Sequence, residues 1–449
     1  MNIKAIDLYL QKLKSGSKHE DKNIDDADIA DYLEDVKQKD ESKFFDYLNS
    51  LPIDLRAQTF VELPTAFQLD LIMKYDPKGL ADIIEVLESD DATDLYIAIN
   101  KADKQKEEEV FLLLSDKTQK SIEKLIAYDD NEAGSLMQTE IFKVSASRDV
   151  AYAIQKLGKL KEQGIGTVQN VFIVDEKSRF IKSISIDDLI LESHDAKFED
   201  ILGKFSDDYN IASHDSVDEV VSMIEKYDLV SLAVVDRMGH LIGRITHDDV
   251  IDIMQEKATK QIYNLNKLDE NEEVQEDFSK TSKTRATWLT INLLNAVLAS
   301  LVIGIFEHTL DAIVALAVLM PIVANMAGTA SVQTMTVMVR QMALGEITIR
   351  NLKPILKKEI NISLLNGLLF AILSFGITQI WFGNVLISIS ISLSMFVSFL
   401  SAGILGSSIP MVLKKANLDP AVASSVIVIT LVDIIGFFSF LWFAELIVL

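Results

Sequence analysis

From about Asp25 to Tyr128 apolar residues return every three or four positions, the spacing of amphipathic helices. Breaks at Leu51-Pro52, Leu63-Pro64 and Asp76-Pro77-Lys78-Gly79 cut the run into short pieces. The phrases LPIDLRAQTFVEL, LPTAFQLDLIMKY and PKGLADIIEVL read as degenerate helical repeats of 12–15 residues, stacked as a small superhelix. Residues 1–24 are polar and are expected to be frayed or loosely helical. Far downstream the pattern becomes continuous. Five apolar runs, about 287–306, 312–339, 360–382, 385–409 and 421–443, approach or exceed the roughly 20 residues that carry a helix across a bilayer.

Between these regions lies an internal repeat. VFIVDEKSRFIKSISIDDLI (171–190) aligns with LAVVDRMGHLIGRITHDDVI (232–251) at a constant offset of 61. Val174/Val235, Asp175/Asp236, Ile181/Ile242, Ile184/Ile245 and Asp187-Asp188/Asp248-Asp249 are identical, and upstream the offset becomes 67 (Val150/Val217). Each copy reads helix, strand, turn, strand, helix, the last helix capped by its acidic pair. This resembles a tandem pair of cystathionine-β-synthase-type (CBS) domains. The resemblance implies one α/β module, often dimeric, with ATP as the candidate cofactor in the cleft between the copies.

The loops orient the apolar runs. Arg340, Arg350, Lys353, Lys357 and Lys358 separate runs two and three, and Lys414 and Lys415 separate four and five. Glu307–Asp311 and Phe382–Asn384 carry no Lys or Arg. In a five-span chain every basic loop then falls on the side of the N-terminal half. The positive-inside rule places that half and the N-terminus in the cytoplasm and the C-terminus outside, in a multi-pass protein of the cytoplasmic membrane. The last run, opened by Asp419-Pro420, carries Asp433 near its centre. A carboxylate there costs about 2.5–3.5 kcal/mol to insert, which makes it a candidate for an ion or proton pathway. A protonated Asp433 bonded to a neighbouring helix is the alternative. Ser425, Thr430 and Gly436 lie near its face. In the second run Asn325, Thr329 and Gln333 are four apart and share a face, with Ala327 and Gly328 among them. They read as pore-lining groups, with carbonyls near Ala327–Gly328 exposed, or as polar glue between helices.

Charge sharpens the division. Residues 1–285 hold 60 Asp and Glu against 36 Lys and Arg, whereas residues 286–449 hold seven of each. The acidic half repels nucleic acid and suits cations. There is no cysteine, hence no disulfide or thiolate metal site. The start MNIKAIDLYLQKLK lacks the apolar core of a signal peptide. The six histidines are scattered, and no P-loop, nucleophile constellation or HExxH motif points to an enzyme.

The order of parts is similar to that of the MgtE family of magnesium channels and transporters. The phrases that carry it are LADIIEVLESDDATDL (80–95), YDLVSLAVVD (227–236), HDDVIDIM (247–254), FEHTLDAIVALAVLMPIVA (306–324), KEINISLLNGLL (358–369) and DPAVAS…TLVDIIG (419–436). The resemblance implies an all-α superhelical domain (1–130), an α/β tandem CBS module (131–256, copies about 136–198 and 199–256), a connecting plug helix (257–285) and an α-helical membrane domain of five spans (286–449). It implies a homodimer in the bilayer that imports Mg²⁺ past Asp433, the residue that matches the family's pore acid. It also implies closure by cytosolic Mg²⁺ bridging the acidic surfaces, for which Asp90, Asp94, Asp228, Asp236, Asp248, Asp252 and Glu256 are the candidate ligands. Where the family's second span carries G-G-N-x-G-x-Q, this chain has Ala327-Gly328-Thr329-Ala330-Ser331-Val332-Gln333. Altered preference (Co²⁺, Ni²⁺, Mn²⁺) is therefore an alternative, and a membrane-anchored Mg²⁺ or nucleotide sensor that transports nothing is another.

Overall fold

A computed structural model describes residues 3–14, 24–162, 168–205, 208–265, 278–343, 347, 352–416, 418 and 420–449. They form two compact units, 1–255 and 256–449.

The first unit opens with nine helices: α1 (Ile3–Lys14), α2 (Asp26–Lys39), α3 (Glu41–Ser50), α4 (Ile53–Glu62), α5 (Thr65–Lys74), α6 (Pro77–Ile84), α7 (Ser89–Ala102), α8 (Lys104–Leu113) and α9 (Asp116–Ile126). The proline breaks are its punctuation. Leu51 and Leu63 end α3 and α4 in extended conformation and stay buried, and Pro52 and Pro64 start the next helix. Five residues beyond each such leucine a side chain reaches back to its carbonyl. Arg56 Nη2 donates to Leu51 O (3.0 Å), Gln68 Nε2 to Leu63 O (2.7 Å) and Gln119 Nε2 to Leu114 O (3.1 Å). These bonds satisfy carbonyls that a helix end leaves orphaned. α1 is packed where its polarity predicts a frayed or loose helix. α1 buries Ile6, Tyr9 and Leu10, and Asp7 accepts from Tyr32 Oη (2.6 Å) and Tyr47 Oη (2.9 Å). The Tyr32 bond, with that from Tyr47 and the charge of Lys43, holds the Asp7 carboxyl below its ordinary pKa against the opposing effect of burial.

The repeat forms two similar three-stranded sheets. The first copy is β1 (Lys143–Ser145), α10 (Val150–Glu162), β2 (Asn170–Val174), β3 (Phe180–Ser185), α11 (Ile186–Leu191) and the short α12 (Phe198–Ile201). The second is β4 (Asn210–Ala212), α13 (Val217–Tyr227), β5 (Ser231–Val235), β6 (Leu241–Thr246) and α14 (His247–Leu265). β1 and β4, absent from the sequence pattern, pair in parallel with β2 and β5, and β2–β3 and β5–β6 are antiparallel with a bulge at the same place in each copy. The β2–β3 and β5–β6 turns pair with each other, Phe180 N donating to Gly239 O and Leu241 N to Ser178 O. Ser178 and Gly239, 61 apart, both take positive φ.

The second unit holds α15 (Phe278–Ile305), the short α16 (Glu307–Ala312), α17 (Val314–Ala343), α18 (Leu352–Phe382), α19 (Val385–Lys415) and α20 (Pro420–Val448). Five of these are long and apolar enough to cross a membrane. α17 and α19 run unbroken past Pro321 and Pro410. Serines seam α19 to α20: Ser390 donates to Phe443 O (3.3 Å) and Ser394 to Gly436 O (3.3 Å). Small polar residues let two such helices approach and bond across an apolar medium. Of the plug segment 257–285, the end of α14 and the start of α15 are described; the acidic cluster Glu270–Asp277 lies outside the described residues, as do Asp419 and Arg350.

Candidate ion pathway and acidic joint

α17 is one continuous helix, so Asn325, Thr329 and Gln333 do share a face, and all three are exposed on the protomer. Thr329 Oγ1 donates to Asn325 Oδ1 (3.3 Å). Thr329, Val332, Gln333, Thr336 and Val337 line an open groove of about 530 Å³. Gly328 lies among them beside open space, since a Cβ there would meet nothing within 4 Å. Ala327 departs from the sequence reading. Its side chain is buried among Ala402, Val428 and Val432. The unbroken helix also engages the carbonyls near Ala327–Gly328, and Ser331 Oγ donates to that of Gly328 (2.7 Å). They are not free acceptors.

Asp433 is half-buried on α20. Among the described residues its carboxylate has no hydrogen-bond or ion-pair partner. Thr430 turns its hydroxyl to Val426 O of its own helix (2.7 Å). An unpartnered carboxylate in an apolar span is costly unless a cation, a proton or water attends it.

The first unit carries a second acidic site, where the N-terminal helices meet the second repeat copy. The segment 133–142 crosses β6 at Gln138, with Gln138 N donating to Arg244 O (2.8 Å) and Arg244 N to Gln138 O (2.9 Å). It then reaches the start of α7, where Thr139 N donates to Ser89 Oγ (2.8 Å) and Ser89 Oγ to Glu140 Oε2 (2.8 Å). Lys124 of α9 donates to Ile242 O (3.0 Å). Around this contact stand Glu62, Glu88, Asp90, Asp91, Asp94, Asp248, Asp249 and Asp252. Burial, then Asp91 and Asp249, push Asp90 well above the usual carboxylate range, and Asp90 Oδ1 is buried without a hydrogen bond. Desolvation, then Asp249 and Asp94, raise Asp91 to about 7. Glu88 and Asp249 are raised chiefly by burial and Glu62 by burial with help from Asp252.

Of the seven predicted regulatory acids, the structure brings Asp90, Asp94, Asp248 and Asp252 into this group. Glu256 is exposed one turn beyond Asp252 on α14. Asp228 and Asp236 do different work. Asp228 is the exposed left-handed C-cap of α13. Asp236 holds its turn, accepting from Met238 N and His240 N (2.8 Å each) and contacting His240 Nδ1, as Asp175 holds the equivalent turn. The acidic pairs are not the caps expected. Ser185 caps α11, and Thr246 precedes α14, with Asp249 reaching back to Thr246 N (3.3 Å) as in a capping box. Asp90 sits inside the first turn of α7 behind Glu88, not at its cap. Sequence reasoning missed Asp91, Asp249, Glu88 and Glu62; the doublets Asp90-Asp91 and Asp248-Asp249 were the visible signal. Among the described residues no three acids or imidazoles converge closely enough to hold a bare metal ion.

Residues 320–443 match the MgtE divalent cation transporter family, residues 24–131 the MgtE intracellular N domain and residues 205–256 the CBS domain. The chain belongs to the MgtE family. Magnesium transporter MgtE of Thermus thermophilus is 28% identical over 359 residues, 80% of this chain and 79% of that one. Those of Enterococcus faecalis and Bacillus subtilis are 29% identical over 313 residues and 24% over 409, covering 68% and 89% of their own lengths. The soluble part of a magnesium transporter shares the fold of the first unit, with a TM-score of 0.50 at 24% identity over 57% of this chain and all of that one. α1 precedes the residues matched to the MgtE N domain.

Proposed function

We propose that this chain is a homodimeric Mg²⁺ channel that imports Mg²⁺ across the cytoplasmic membrane and is closed by cytosolic Mg²⁺ at the acidic joint. The observation that carries the transport reading is the stripe Asn325, Thr329 and Gln333 left exposed on a span, together with Asp433 unpartnered in another. Amide and hydroxyl groups facing lipid are costly, and a second copy across the stripe would turn it into a polar lining. Mg²⁺ sheds its water reluctantly, so a pore needs few carboxylates and several neutral oxygens around a hydrated ion. On this reading the N-terminus is cytoplasmic, which the positions of the basic loops support.

Closure rests on the acids of the joint. Two like charges about 4 Å apart repel by about 4 kcal/mol at an effective dielectric of 20. A divalent cation reached through its water shell relieves that repulsion and favours the docked state, and the orphaned Asp90 Oδ1 fits such a ligand. Shifting a two-state gate across its range takes about 5.5 kcal/mol of differential binding, which a few such contacts supply. An adenine nucleotide between the CBS copies belongs to this reading on the resemblance alone. Thr329, where the family carries Asn, motivates a second reading in which Co²⁺, Ni²⁺ or Mn²⁺ is preferred.

The test is divalent uptake into proteoliposomes by the wild type and by Asp433→Asn, read with a Mg²⁺-sensitive dye inside. Wild-type influx that falls to the rate of protein-free vesicles in Asp433→Asn is expected. Equal influx in both would remove Asp433 from the pathway. No Mg²⁺ influx with the wild type, but influx of Co²⁺, Ni²⁺ or Mn²⁺, would select the second reading; no influx of any cation would leave a sensor.

A further inference from the structure

We propose that Arg244 is the resident cation of the acidic joint, a fixed positive charge that carries part of the load otherwise met by bound Mg²⁺ and so sets how much cytosolic Mg²⁺ closes the channel. The proposal rests on the gating reading above and deepens it. Arg244 lies on β6 and is 5% exposed. Its Nε donates to Gln138 Oε1 (3.0 Å), and its Nη2 stands 3.9 Å from Glu88 Oε1. Glu88 belongs to the N-terminal helices, immediately before α7, and Gln138 to the segment that joins those helices to the repeat. Gln138 also lies beside Asp90 and favours its charged form. The guanidinium thus connects the CBS sheet to the acidic edge of the other domain, and its charge also opposes the upward shifts of Glu88 and Asp249.

The strand itself does not require an arginine. The position 61 residues earlier, in the same register of the first sheet, is Ser183, which is equally buried and accepts from Asn170 Nδ2 (2.8 Å). A buried arginine costs free energy unless its partners compensate for lost water. Here Glu88 comes from the N-terminal helices and Gln138 from the segment that joins them to the repeat. Arg244 is therefore a positioning residue: it draws Glu88 and the linker onto β6 and leaves the outer acids for a mobile cation.

The sign follows from charge balance. Without the guanidinium the docked state keeps the same carboxylates and lacks one fixed positive charge, which must then come from solution. Closure should need more Mg²⁺ and depend on it more steeply.

The experiment measures Mg²⁺ influx by the full chain in proteoliposomes against Mg²⁺ on the cytosolic side. For Arg244→Gln the half-inhibiting concentration is expected to rise about fivefold and the curve to steepen. Arg244→Lys, which keeps the charge and loses the fork, should keep the wild-type slope with a midpoint within about twofold. Gln138→Ala should move the midpoint up by less than Arg244→Gln. Influx at low Mg²⁺ should match the wild type in all three, which also reports that each variant is folded. An unchanged or lowered midpoint in Arg244→Gln overturns the proposal. So does an Arg244→Lys curve that matches Arg244→Gln, because shape and not charge would then matter. If Arg244→Gln does not insert, an unchanged Gln138→Ala midpoint overturns it. Wild-type influx that ignores cytosolic Mg²⁺ is a different failure: it sinks the gating reading, and this proposal with it.

Discussion

The two copies of the internal repeat share a sheet order, a bulge position, a turn and an acidic doublet, yet the doublet of the second copy stands among acids of the N-terminal helices. In the first copy Asp188 and Ser185 exchange hydrogen bonds at an exposed helix start. In the second, Asp249 closes the same kind of helix start and also stands among Glu88, Asp90 and Asp91. The same doublet is local capping chemistry in one place and half of a charged interface in the other. The difference comes from what the neighbouring domain brings, since an isolated acid is cheap in water and several facing ones are not.

The strongest way to break this comparison is to neutralise each side in turn. Asp90→Asn, Asp91→Asn and Asp249→Asn together should leave influx low and about thirtyfold less responsive to cytosolic Mg²⁺, because the repulsion that Mg²⁺ relieves is gone and the joint docks without it. Asp187→Asn with Asp188→Asn, the same chemistry in the first copy, should leave the midpoint where it was. Equal effects from the two sets, read as influx against cytosolic Mg²⁺, would mean that the doublets act through helix starts and not through the joint.

Acidity provides a smaller effect of stated sign. Asp91 is raised to about 7, above the 3.8 of a free aspartate, by desolvation, Asp249, Asp94, Glu88 and Glu62. A raised carboxylate contributes stability that is fully present below about 3.8 and is lost as pH climbs through about 7. Without divalent cations the joint should therefore be several-fold more docked at pH 6 than at pH 8. Spin-label distances between α7 and α14 in the full chain, taken with a chelator present, would show it. A population that grows with pH would contradict the crowding of acids described above.

Much of this was legible because long apolar periods and exact repeats are strong signals. The five membrane-length helices, the short proline-punctuated helices and the 61-residue offset all correspond to observed elements. What escaped was short or depended on contact. β1 and β4 have three residues each, too few for an alternating pattern, and α16 is six residues in a loop read as a connection. α1 looked polar because half of its surface is solvated, and the Tyr32 and Tyr47 bonds that fix Asp7 come from residues 25 and 40 positions away. At the joint the acidic doublets were visible, but which member meets another acid is decided by helix phase and docking. Asp236 looked like a ligand for the same reason that it closes a turn: a short carboxylate beside free N–H groups serves either end. Arg244 gave no sequence signal beyond standing where its counterpart is Ser183.

The smallest predicted effect tests whether the linker itself distinguishes the copies. Gly243 is the position where Met137 of the linker lies flat on β6: an added Cβ would fall 2.5 Å from Met137 Sδ and 2.9 Å from its Cβ. Met137 is fully buried, so it has little room to yield. In the first copy the matching position is Lys182, half-buried, with its Nζ donating to Phe205 O (2.5 Å). Gly243→Ala should cost about 1–3 kcal/mol by overpacking and lower the melting temperature of the cytosolic part by about 5 °C. By easing the linker off β6 it should raise the half-inhibiting Mg²⁺ by about twofold. Lys182→Ala should leave that midpoint unchanged. If Gly243→Ala melts lower but gates as the wild type does, the linker supports the fold without setting the joint, and the asymmetry of the two copies lies in their charges alone.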